Sequence, residues 1–238
     1  MNLVVEIGNT NTKLAFFEKK ELVELLIESD STIILNRLNS INVETAIIAG
    51  SGNMSIDWWK EFTAVKKICF DADMLPEIHY AYSTSKSLGA DRLINAWYAN
   101  QLFPAHTNLI IDTGSCITFT LIDLHKTLLG GSISPGLILR AKSLHDYTDK
   151  LPLIDLSETE TGELVGNSTE SSIRSGIILG ALFEIDKRIE QYQALHDNLN
   201  IIMTGGGTQF FENKLNYKIF ADNHFTLKGL NEILLSNE

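Results

Sequence analysis

The stretch Leu3-Val4-Val5-Glu6-Ile7-Gly8-Asn9-Thr10-Asn11-Thr12-Lys13 opens the chain, and its layout returns at Ile110-Ile111-Asp112-Thr113-Gly114-Ser115-Cys116-Ile117-Thr118. In each copy an apolar run ends in an acid, Gly follows two residues later, and Thr follows four residues after the Gly. The acid, the Gly and the Thr of the two copies correspond at one constant offset. Such internal repetition predicts two copies of one α/β unit that face a shared cleft.

The composition is that of an ordinary globular protein. The 238 residues are 44% apolar and 21% charged, enough for one large domain or two of roughly 100 residues. No apolar run approaches the ~20 residues of a membrane span, and the N-terminus lacks the features of a signal peptide. The two cysteines have no metal-ligand spacing, so we expect a protein of the reducing cytoplasm without a membrane partner.

The net charge of −11, with a pI near 5.0, argues against nucleic acid as a partner. A phosphate-backbone footprint needs clustered Lys and Arg. A small anionic ligand is still compatible with this charge, because backbone N–H groups in glycine-rich turns and at helix N-termini bind phosphate without charged side chains.

The order of predicted elements is the same in both halves of the chain. Three meandering strands come first, and helices and strands then alternate, as in a ribonuclease-H-like unit. The sequence therefore predicts an α/β fold of duplicated ribonuclease-H-like domains, 1–105 and 106–238, each a mixed five-stranded sheet flanked by helices. Strands are predicted at 2–8, 12–18, 21–27, 45–49 and 66–70, then at 108–112, 118–123, 127–134, 200–203 and 218–221. Helices are predicted at 31–38 (capped by Ser31-Thr32), 56–62, 89–102, 137–148 and 169–195 and after 226, with loops at 72–88 and 151–168.

The two repeated turns are candidate phosphate-binding loops. A Gly directly after a buried strand lets the backbone approach a ligand closely, because no Cβ intervenes. Two facing turns of this kind could clamp the phosphates of a nucleotide; the alternative is that each is a simple hairpin turn. Neither has the spacing of a P-loop, which argues against that fold. A third glycine-rich turn, Thr204-Gly205-Gly206-Gly207, could pack against an adenine or a ribose.

Three acids are candidates for chemistry. Glu6 and Asp112 end core strands, where a carboxylate is costly unless it faces a cation or is hydrogen-bonded. Metal coordination and capping of the local turn both remain open for them. Asp91 lies in the first turn of a predicted helix, where it either compensates the helix dipole or accepts a hydrogen bond from a substrate hydroxyl and aligns it for attack on a γ-phosphate.

Taken together, the motifs resemble those of the type III pantothenate kinase family. They appear in the family's order from Met1 to the last predicted helix: Gly8-Asn9-Thr10 with Lys13, Gly89-Ala90-Asp91-Arg92, Asp112-x-Gly114-Ser115, Gly130-Gly131-x-Ile133-x-Pro135-Gly136, Thr169 with Ser175-Gly176-Ile177 and Gly180, and Gly205-Gly206-Gly207. The resemblance implies an actin-like, sugar-kinase-type duplicated fold and a homodimer. It also implies phosphorylation of pantothenate by ATP, the first step of coenzyme A synthesis, with Mg²⁺ and a monovalent cation, K⁺ or NH₄⁺.

The resemblance also implies roles for individual residues. Asp91 would be the catalytic base toward the pantothenate hydroxyl, and Asp112 would bind the monovalent cation. ATP would be bound by the first phosphate loop, Glu6, Ile7, Gly8, Asn9, Thr10, Asn11, Thr12 and Lys13, and by Ser115. Pantothenate would be bound by Tyr82, Gly89, Ala90, Asp91, Arg92 and Thr169. For Tyr82 the alternative is an exposed loop aromatic, and for Thr169 it is a helix N-cap.

The chain departs from the family pattern at two positions. Glu6 stands where the family has Asp, and the extra methylene moves the carboxylate about 1.5 Å further out. Gly114-Ser115-Cys116 stands where Gly-Thr-Ala is usual, which retains a hydroxyl. The Glu6 departure keeps a second hypothesis open, a non-catalytic accessory relative that regulates transcription. A third hypothesis, another actin-like kinase or phosphatase acting on a sugar or acetyl group, is disfavoured by the Gly-x-Asp-Arg and Gly-Gly-x-Ile-x-Pro-Gly segments.

Overall fold

The computed structural model describes residues 1–8, 11–50, 57–75, 77–82, 88–156 and 162–237. The chain divides into two compact units, one formed by Met1–Leu102 together with His224–Glu238 and the other by Phe103–Asn223. The division predicted from the sequence, 1–105 and 106–238, assigned the last fifteen residues to the second half. The structure places them in the first unit instead.

The first unit contains one mixed sheet whose strands lie in the order β3-β2-β1-β4-β5. Strand β1 pairs antiparallel with β2 and parallel with β4, β2 pairs antiparallel with β3, and β4 pairs parallel with β5. The strands are β1 (Asn2–Ile7), β2 (Thr12–Glu18), β3 (Glu21–Glu28), β4 (Thr45–Gly50) and β5 (Lys66–Cys69), and the unit also holds the two-residue strand β6 (His79–Tyr80). The helices are α1 (Ser31–Asn39), α2 (Asp57–Glu61), α3 (Ala90–Leu102) and α7 (Phe225–Ser236).

Side chains point alternately to the two faces of the first unit's sheet, and apolar side chains are buried on both faces. Leu3, Val5 and Ile7 of β1 pack with Trp58 and Trp59 of α2 and with residues of α1. Helix α7 contacts β1, β4 and α3, and Gly229 of α7 lies directly against Ile94 and Tyr98 of α3, where a Cβ would collide. The last helix therefore completes the core of the first unit.

Among the residues that the structure describes, the second sheet has six strands, and five of them repeat this arrangement in the order β9-β8-β7-β10-β11. Strands β7 and β8 and strands β8 and β9 pair antiparallel, whereas β7 and β10 and strands β10 and β11 pair parallel. The strands are β7 (Thr107–Thr113), β8 (Cys116–Ile122), β9 (Thr127–Pro135), β10 (Leu199–Thr204) and β11 (Ile219–Ala221). The helices are α4 (Leu137–Asp146), α5 (Thr169–Leu195) and α6 (Thr208–Glu212). Because both units share one strand order and one set of pairing directions, the predicted duplication is confirmed.

Two local predictions differ from the structure. Helix α1 is capped by Asp30 and not by the predicted Ser31-Thr32. The Asp30 carboxylate accepts hydrogen bonds from the N–H groups of Thr32 and Ile33, as an N-cap side chain does. The region 72–88 was predicted as a loop, but it contains a 3₁₀ turn (Ala72–Met74) and strand β6. Residues 51–56, 76 and 83–87 lie outside the described part of the chain.

The helices were compared in length and apolar character with a membrane-spanning helix. Within the described ranges, none of them combines the length and the apolar character needed to cross a bilayer.

Candidate functional site

The first repeated turn is closed by its backbone and flanked by an ion pair. Gly8 N–H donates to the carbonyl oxygen of Asn11 at 3.0 Å, and Ile7 pairs with Thr12 across the hairpin. One pair further from the turn, Lys13 Nζ lies 2.9 Å from Glu6 Oε2. Opposite residues of an antiparallel pair share one face of the sheet, so this contact follows from the register. The predicted site residues Asn9 and Thr10 lie outside the described residues.

The carboxylate of Glu6 therefore has a partner that the sequence analysis did not consider. Its side chain is 16% exposed and that of Lys13 is 37% exposed. Metal coordination and turn capping were the two interpretations kept open for Glu6. The structure adds a third, a cross-strand ion pair within the predicted ATP-binding segment.

The second repeated turn is one residue shorter than the first. Residues 8–11 separate the last ladder pair of the first hairpin, Ile7 and Thr12, whereas residues 114–116 separate Thr113 and Ile117 in the second. Glu6 and Asp112 keep equivalent places, each one residue before the end of its strand. Thr118, however, pairs with Asp112 and so occupies the place of Lys13, not that of Thr12. The two threonines therefore match in sequence spacing but occupy different positions in the strand pairing.

The second and third glycine-rich turns lie side by side. Thr113 Oγ1 donates to the carbonyl oxygen of Thr204 at 2.9 Å, and Gly207 N–H donates to the carbonyl oxygen of Thr113 at 3.0 Å. Gly205 has φ +91°, and a Cβ there would collide with Asp112 Oδ1 and the Thr113 nitrogen. These turns are far apart in sequence, and the parallel pairing of β7 with β10 makes them one backbone-rich surface around Asp112.

The second turn also contacts the end of β9. Gly136 N–H donates to the carbonyl oxygen of Ser115 at 3.0 Å, and a Cβ on Gly136 would collide with the carbonyl oxygens of Gly114 and Ser115. The last glycine in the Gly-Gly-x-Ile-x-Pro-Gly segment is therefore required by close approach to Ser115, the residue predicted to contact ATP.

An ion-pair network that was not predicted from the sequence lies beside this contact. The guanidinium of Arg140 donates to Glu184 Oε2, and Arg188 Nε lies 3.3 Å from Glu184 Oε1. Burial acts to raise the pKa of Glu184, but hydrogen bonding and the charges of the two arginines outweigh it and hold that pKa below its ordinary value. Only the spacing of Glu184 and Arg188, four residues apart on α5, was visible in the sequence.

Five of the six residues predicted to bind pantothenate lie at or against the N-terminus of α3. Leu93 N–H donates to the carbonyl oxygen of Gly89 at 3.2 Å, so the helix begins at Ala90. Asp91 Oδ1 lies so close to Gly89 that a Cβ there would collide with it. Arg92 is 6% exposed, and its guanidinium carbon lies 5.9 Å from the centre of the half-buried Tyr82 ring.

Thr169 lies beside a cleft and is not the cap of its helix. Ser168 caps α5, since its side chain accepts from Ser171 N–H and the Ser171 side chain accepts from Ser168 N–H. Thr169 is the first helical residue and lines a cleft of about 470 Å³. The other lining residues are Leu144, Leu151, Ser172, Ile173 and Gly176.

The donor set fits a metal carried mainly by a nucleotide. Over the ranges that the structure describes, no group of three or more His, Cys, Asp and Glu side chains could hold a metal ion. Mg²⁺ in phosphotransfer sites usually takes one or two carboxylates together with substrate phosphates and water, so a full protein cage is not required.

Comparison with known proteins decides the family. The family model described as type III pantothenate kinase matches residues 2–191, a span that includes both repeated turns, Asp91 and Thr169. The chain belongs to the type III pantothenate kinase family. It is therefore related to kinases, that is, phosphotransferases.

Curated type III pantothenate kinases align with nearly the whole chain. The one from Phocaeicola vulgatus is 38% identical over 244 residues, covering 100% of this chain and 99% of the relative. The one from Flavobacterium johnsoniae is 36% identical over 239 residues, covering 98% and 96%. Because both relatives are named as kinases, the comparison does not favour the hypothesis of a non-catalytic accessory protein.

Solved structures agree on the fold. A Campylobacter jejuni protein assigned to the Baf family of transcriptional activators has a TM-score of 0.66 at 18% identity, with 99% of this chain and 98% of that chain covered. A Sinorhizobium meliloti protein assigned as a 2-dehydro-3-deoxygalactonokinase has a TM-score of 0.55 at 11% identity, with coverages of 99% and 96%. At such identities the likeness shows the fold alone.

Proposed function

We propose that this chain phosphorylates pantothenate with ATP to give 4′-phosphopantothenate, the first step of coenzyme A biosynthesis. The observation that supports this most directly is the similarity to curated pantothenate kinases over 98–100% of the chain. The family match includes every residue, from Glu6 to Thr169, that is proposed to act in catalysis or to bind a substrate or an ion.

Asp91 is the proposed base. It lies in the first turn of α3, beside the positive end of the helix dipole. A carboxylate there can accept the proton of the pantothenate hydroxyl as the oxygen attacks the γ-phosphorus. A modest base is sufficient, because phosphoryl transfer depends mainly on positioning and charge stabilisation.

The residues proposed to bind pantothenate are Tyr82, Gly89, Ala90, Asp91, Arg92 and Thr169. Tyr82 and Arg92 are in contact with each other, and Gly89 and Ala90 form the start of α3. Thr169 contributes a hydroxyl at the edge of an otherwise largely apolar cleft. That combination suits a ligand with both hydroxyl and aliphatic groups.

ATP is proposed to bind at the glycine-rich turns. Residues 6–13 supply backbone N–H groups and Lys13, and Ser115 supplies a hydroxyl beside Gly114. Backbone donors at such turns bind phosphate without a large positive surface, which agrees with the net charge of −11.

The proposed cations are Mg²⁺ with ATP and K⁺ or NH₄⁺ at Asp112. The carboxylate of Asp112, whose Oδ1 lies close to Gly114 and Gly205, is the group that would hold the monovalent ion. Such ions would neutralise charge on the phosphates when bound. We further propose a homodimer in the cytoplasm, as the family resemblance implies.

A coupled assay of ADP release tests the proposal. It contains ATP, Mg²⁺ and K⁺, with and without pantothenate, and a parallel series replaces K⁺ by Na⁺. We expect ADP release to require pantothenate and to fall in Na⁺. Absence of pantothenate-dependent turnover at saturating ATP would refute the proposed function, whereas equal rates in Na⁺ and K⁺ would refute only the monovalent-cation assignment.

A further inference from the structure

One peptide group, between Pro135 and Gly136, is hydrogen-bonded at both ends. Its carbonyl oxygen accepts from Arg140 Nε at 2.8 Å. Its N–H donates to the carbonyl oxygen of Ser115 at 3.0 Å. The side chain of Arg140 is thus connected through one peptide group to the second glycine-rich turn.

The peptide group transmits orientation because it is rigid. It is trans and planar, so its C=O and N–H point in opposite directions. Fixing the carbonyl direction therefore fixes the direction of the Gly136 N–H. Since Gly136 packs against the carbonyl oxygens of Gly114 and Ser115 without room for a Cβ, a small rotation of this peptide must move the turn.

The orientation of Arg140 is itself fixed by Glu184. Nη2 of Arg140 donates to Glu184 Oε2, and both side chains are 22% exposed. A guanidinium is planar, so Nε cannot keep its bond to Pro135 if the other nitrogen turns away from Glu184. Bonds to charged groups in partly desolvated surroundings are the stronger kind.

We propose that Arg140, oriented by Glu184, is a positioning residue for ATP that acts through the Pro135–Gly136 peptide on the Gly114–Ser115 turn. This inference rests on the proposed function, in which Ser115 contacts ATP. Its consequence is selective: loss of Arg140 weakens the use of ATP and leaves the use of pantothenate nearly unchanged.

Arg188 provides a matched control. It is also an arginine that bonds Glu184, through Nε at 3.3 Å, and its guanidinium lies over the ring of Phe119. It bonds Glu184 Oε1, whereas Arg140 bonds Glu184 Oε2. Arg140→Gln and Arg188→Gln therefore remove the same charge and one bond to the same glutamate, but the first also releases the carbonyl oxygen of Pro135.

The experiment measures KM for ATP, KM for pantothenate and kcat for wild type, Arg140→Gln, Arg140→Lys and Arg188→Gln. A charge-assisted bond is worth enough to predict a rise of roughly tenfold in KM for ATP in Arg140→Gln. KM for pantothenate should change by less than about twofold. Arg140→Lys should fall between, because an ammonium is a single point donor that cannot hold both partners in fixed geometry.

Several outcomes would overturn the inference. An equal rise of KM for ATP in Arg140→Gln and Arg188→Gln would show that the arginines only connect α4 to α5. The inference would also be overturned by an unchanged KM for ATP in Arg140→Gln, or by an equal rise of KM for ATP and KM for pantothenate. If Arg140→Gln does not fold, Arg140→Lys replaces it, and an Arg140→Lys protein indistinguishable from wild type refutes the role.

Failure of the proposed function is a separate result. If wild type releases no ADP with pantothenate, the same four proteins are compared by the dissociation constant of ATP with Mg²⁺, measured by calorimetry. Weaker ATP binding in Arg140→Gln than in Arg188→Gln then supports the positioning role without kinase turnover. Equal binding in the two variants rejects it.

Discussion

Lys13 Nζ lies 2.9 Å from Glu6 Oε2, and the two residues form a directly opposed pair of the β1–β2 hairpin. Glu6 is the position where this chain departs from the family's aspartate. A glutamate reaches further along the same direction than an aspartate, and here it meets the ammonium of the loop's own lysine. The departure therefore coincides with a charge pair inside the first glycine-rich hairpin.

The first prediction concerns the energy of this pair. In a double-mutant cycle of Glu6→Gln, Lys13→Met and the double variant, we expect a coupling of on the order of 1 kcal/mol that decreases with salt, because Lys13 is partly exposed. Urea unfolding followed by tryptophan fluorescence measures it, since Trp58, Trp59 and Trp97 all belong to the first unit.

The matched control for this cycle is the exposed pair Asp57–Lys60 at 3.2 Å, with both side chains 76% exposed. Its coupling should be close to zero. A Glu6–Lys13 coupling no larger than that of the control would mean that the cross-strand contact contributes nothing measurable.

The second prediction concerns Asp91. Asp91→Asn keeps the shape of the side chain but removes the acceptor of the hydroxyl proton, so kcat should fall by about 10²–10⁴-fold. KM for ATP should stay within about twofold, because the base does not contact the nucleotide in the proposed mechanism. Steady-state ADP release measures both constants.

Asp57 offers a comparison for Asp91, because it also lies in the first turn of a helix of the same unit. Asp57→Asn should retain wild-type turnover. Full activity in Asp91→Asn would remove the assignment of the base and leave the kinase function itself intact.

The third prediction uses two adjacent glycines. Gly205→Ala forces a Cβ into Asp112 and Thr113 at a φ of +91°, whereas a Cβ on Gly206 would meet no described atom within 4 Å. We expect Gly205→Ala to lower the free energy of unfolding by about 1–3 kcal/mol and to raise KM for ATP. Gly206→Ala should stay within about 0.5 kcal/mol of wild type. Circular dichroism during urea unfolding gives these energies, and equal losses in the two variants would contradict the packing of Gly205 on Asp112.

The fourth prediction separates binding from helix capping at the start of α5. Thr169→Val removes a hydroxyl at the cleft and should raise KM for pantothenate by roughly five- to tenfold, with little change in stability. Ser168→Ala removes the cap and should lower the free energy of unfolding by about 1 kcal/mol, with KM unchanged. The reverse pattern would show that Thr169 has only a structural part.

The fifth prediction concerns acid sensitivity. The pKa of Glu184 is held below its ordinary value of 4.5, so the folded state favours the ionised carboxylate. The resulting stabilisation is fully present above pH 4.5 and is lost as pH falls through the lowered folded pKa. Glu184→Gln should therefore lower the melting temperature at pH 7 and flatten its decline below pH 4.5.

Calorimetry between pH 7 and pH 3.5 checks this effect. Glu190→Gln is the control, because Glu190 pairs with Lys187 on the exposed side of the same helix. Its melting profile should run parallel to that of wild type. If Glu184→Gln and wild type decline with the same slope below pH 4.5, the ion-pair network does not govern acid stability.

Much of the architecture could be predicted from local sequence. Strand β2 (Thr12–Glu18) and helix α5 (Thr169–Leu195) have the predicted bounds, because apolar periodicity and flanking turn residues act over a few residues. The repeat of acid and Gly indicated the duplication, and five strands in each of the two sheets share one order. The motif set identified the family before any geometry was known.

The missed features depend on contacts between residues distant in sequence. Helix α7 joins the first unit, although more than a hundred residues separate it from α3, because its buried residues pack against α3, β1 and β4. The pairing of Arg140 with Glu184 spans 44 residues, and neither residue shows its partner in the local pattern. Even the matched threonines of the two turns diverged, since ladder register depends on turn length and not on spacing alone.

Local sequence was enough to predict the duplicated topology and the glycine-rich turns, because these depend on short-range spacing and backbone permissiveness, whereas the roles of the candidate site residues rest on the family resemblance and stay predictions. Only the tertiary structure shows which residues contact them. Lys13 forms an ion pair with Glu6, Gly205 packs against Asp112, and Arg140 is connected to Ser115 through one peptide group. Such partners are selected by packing between elements, and packing depends on strand order, register and helix placement together.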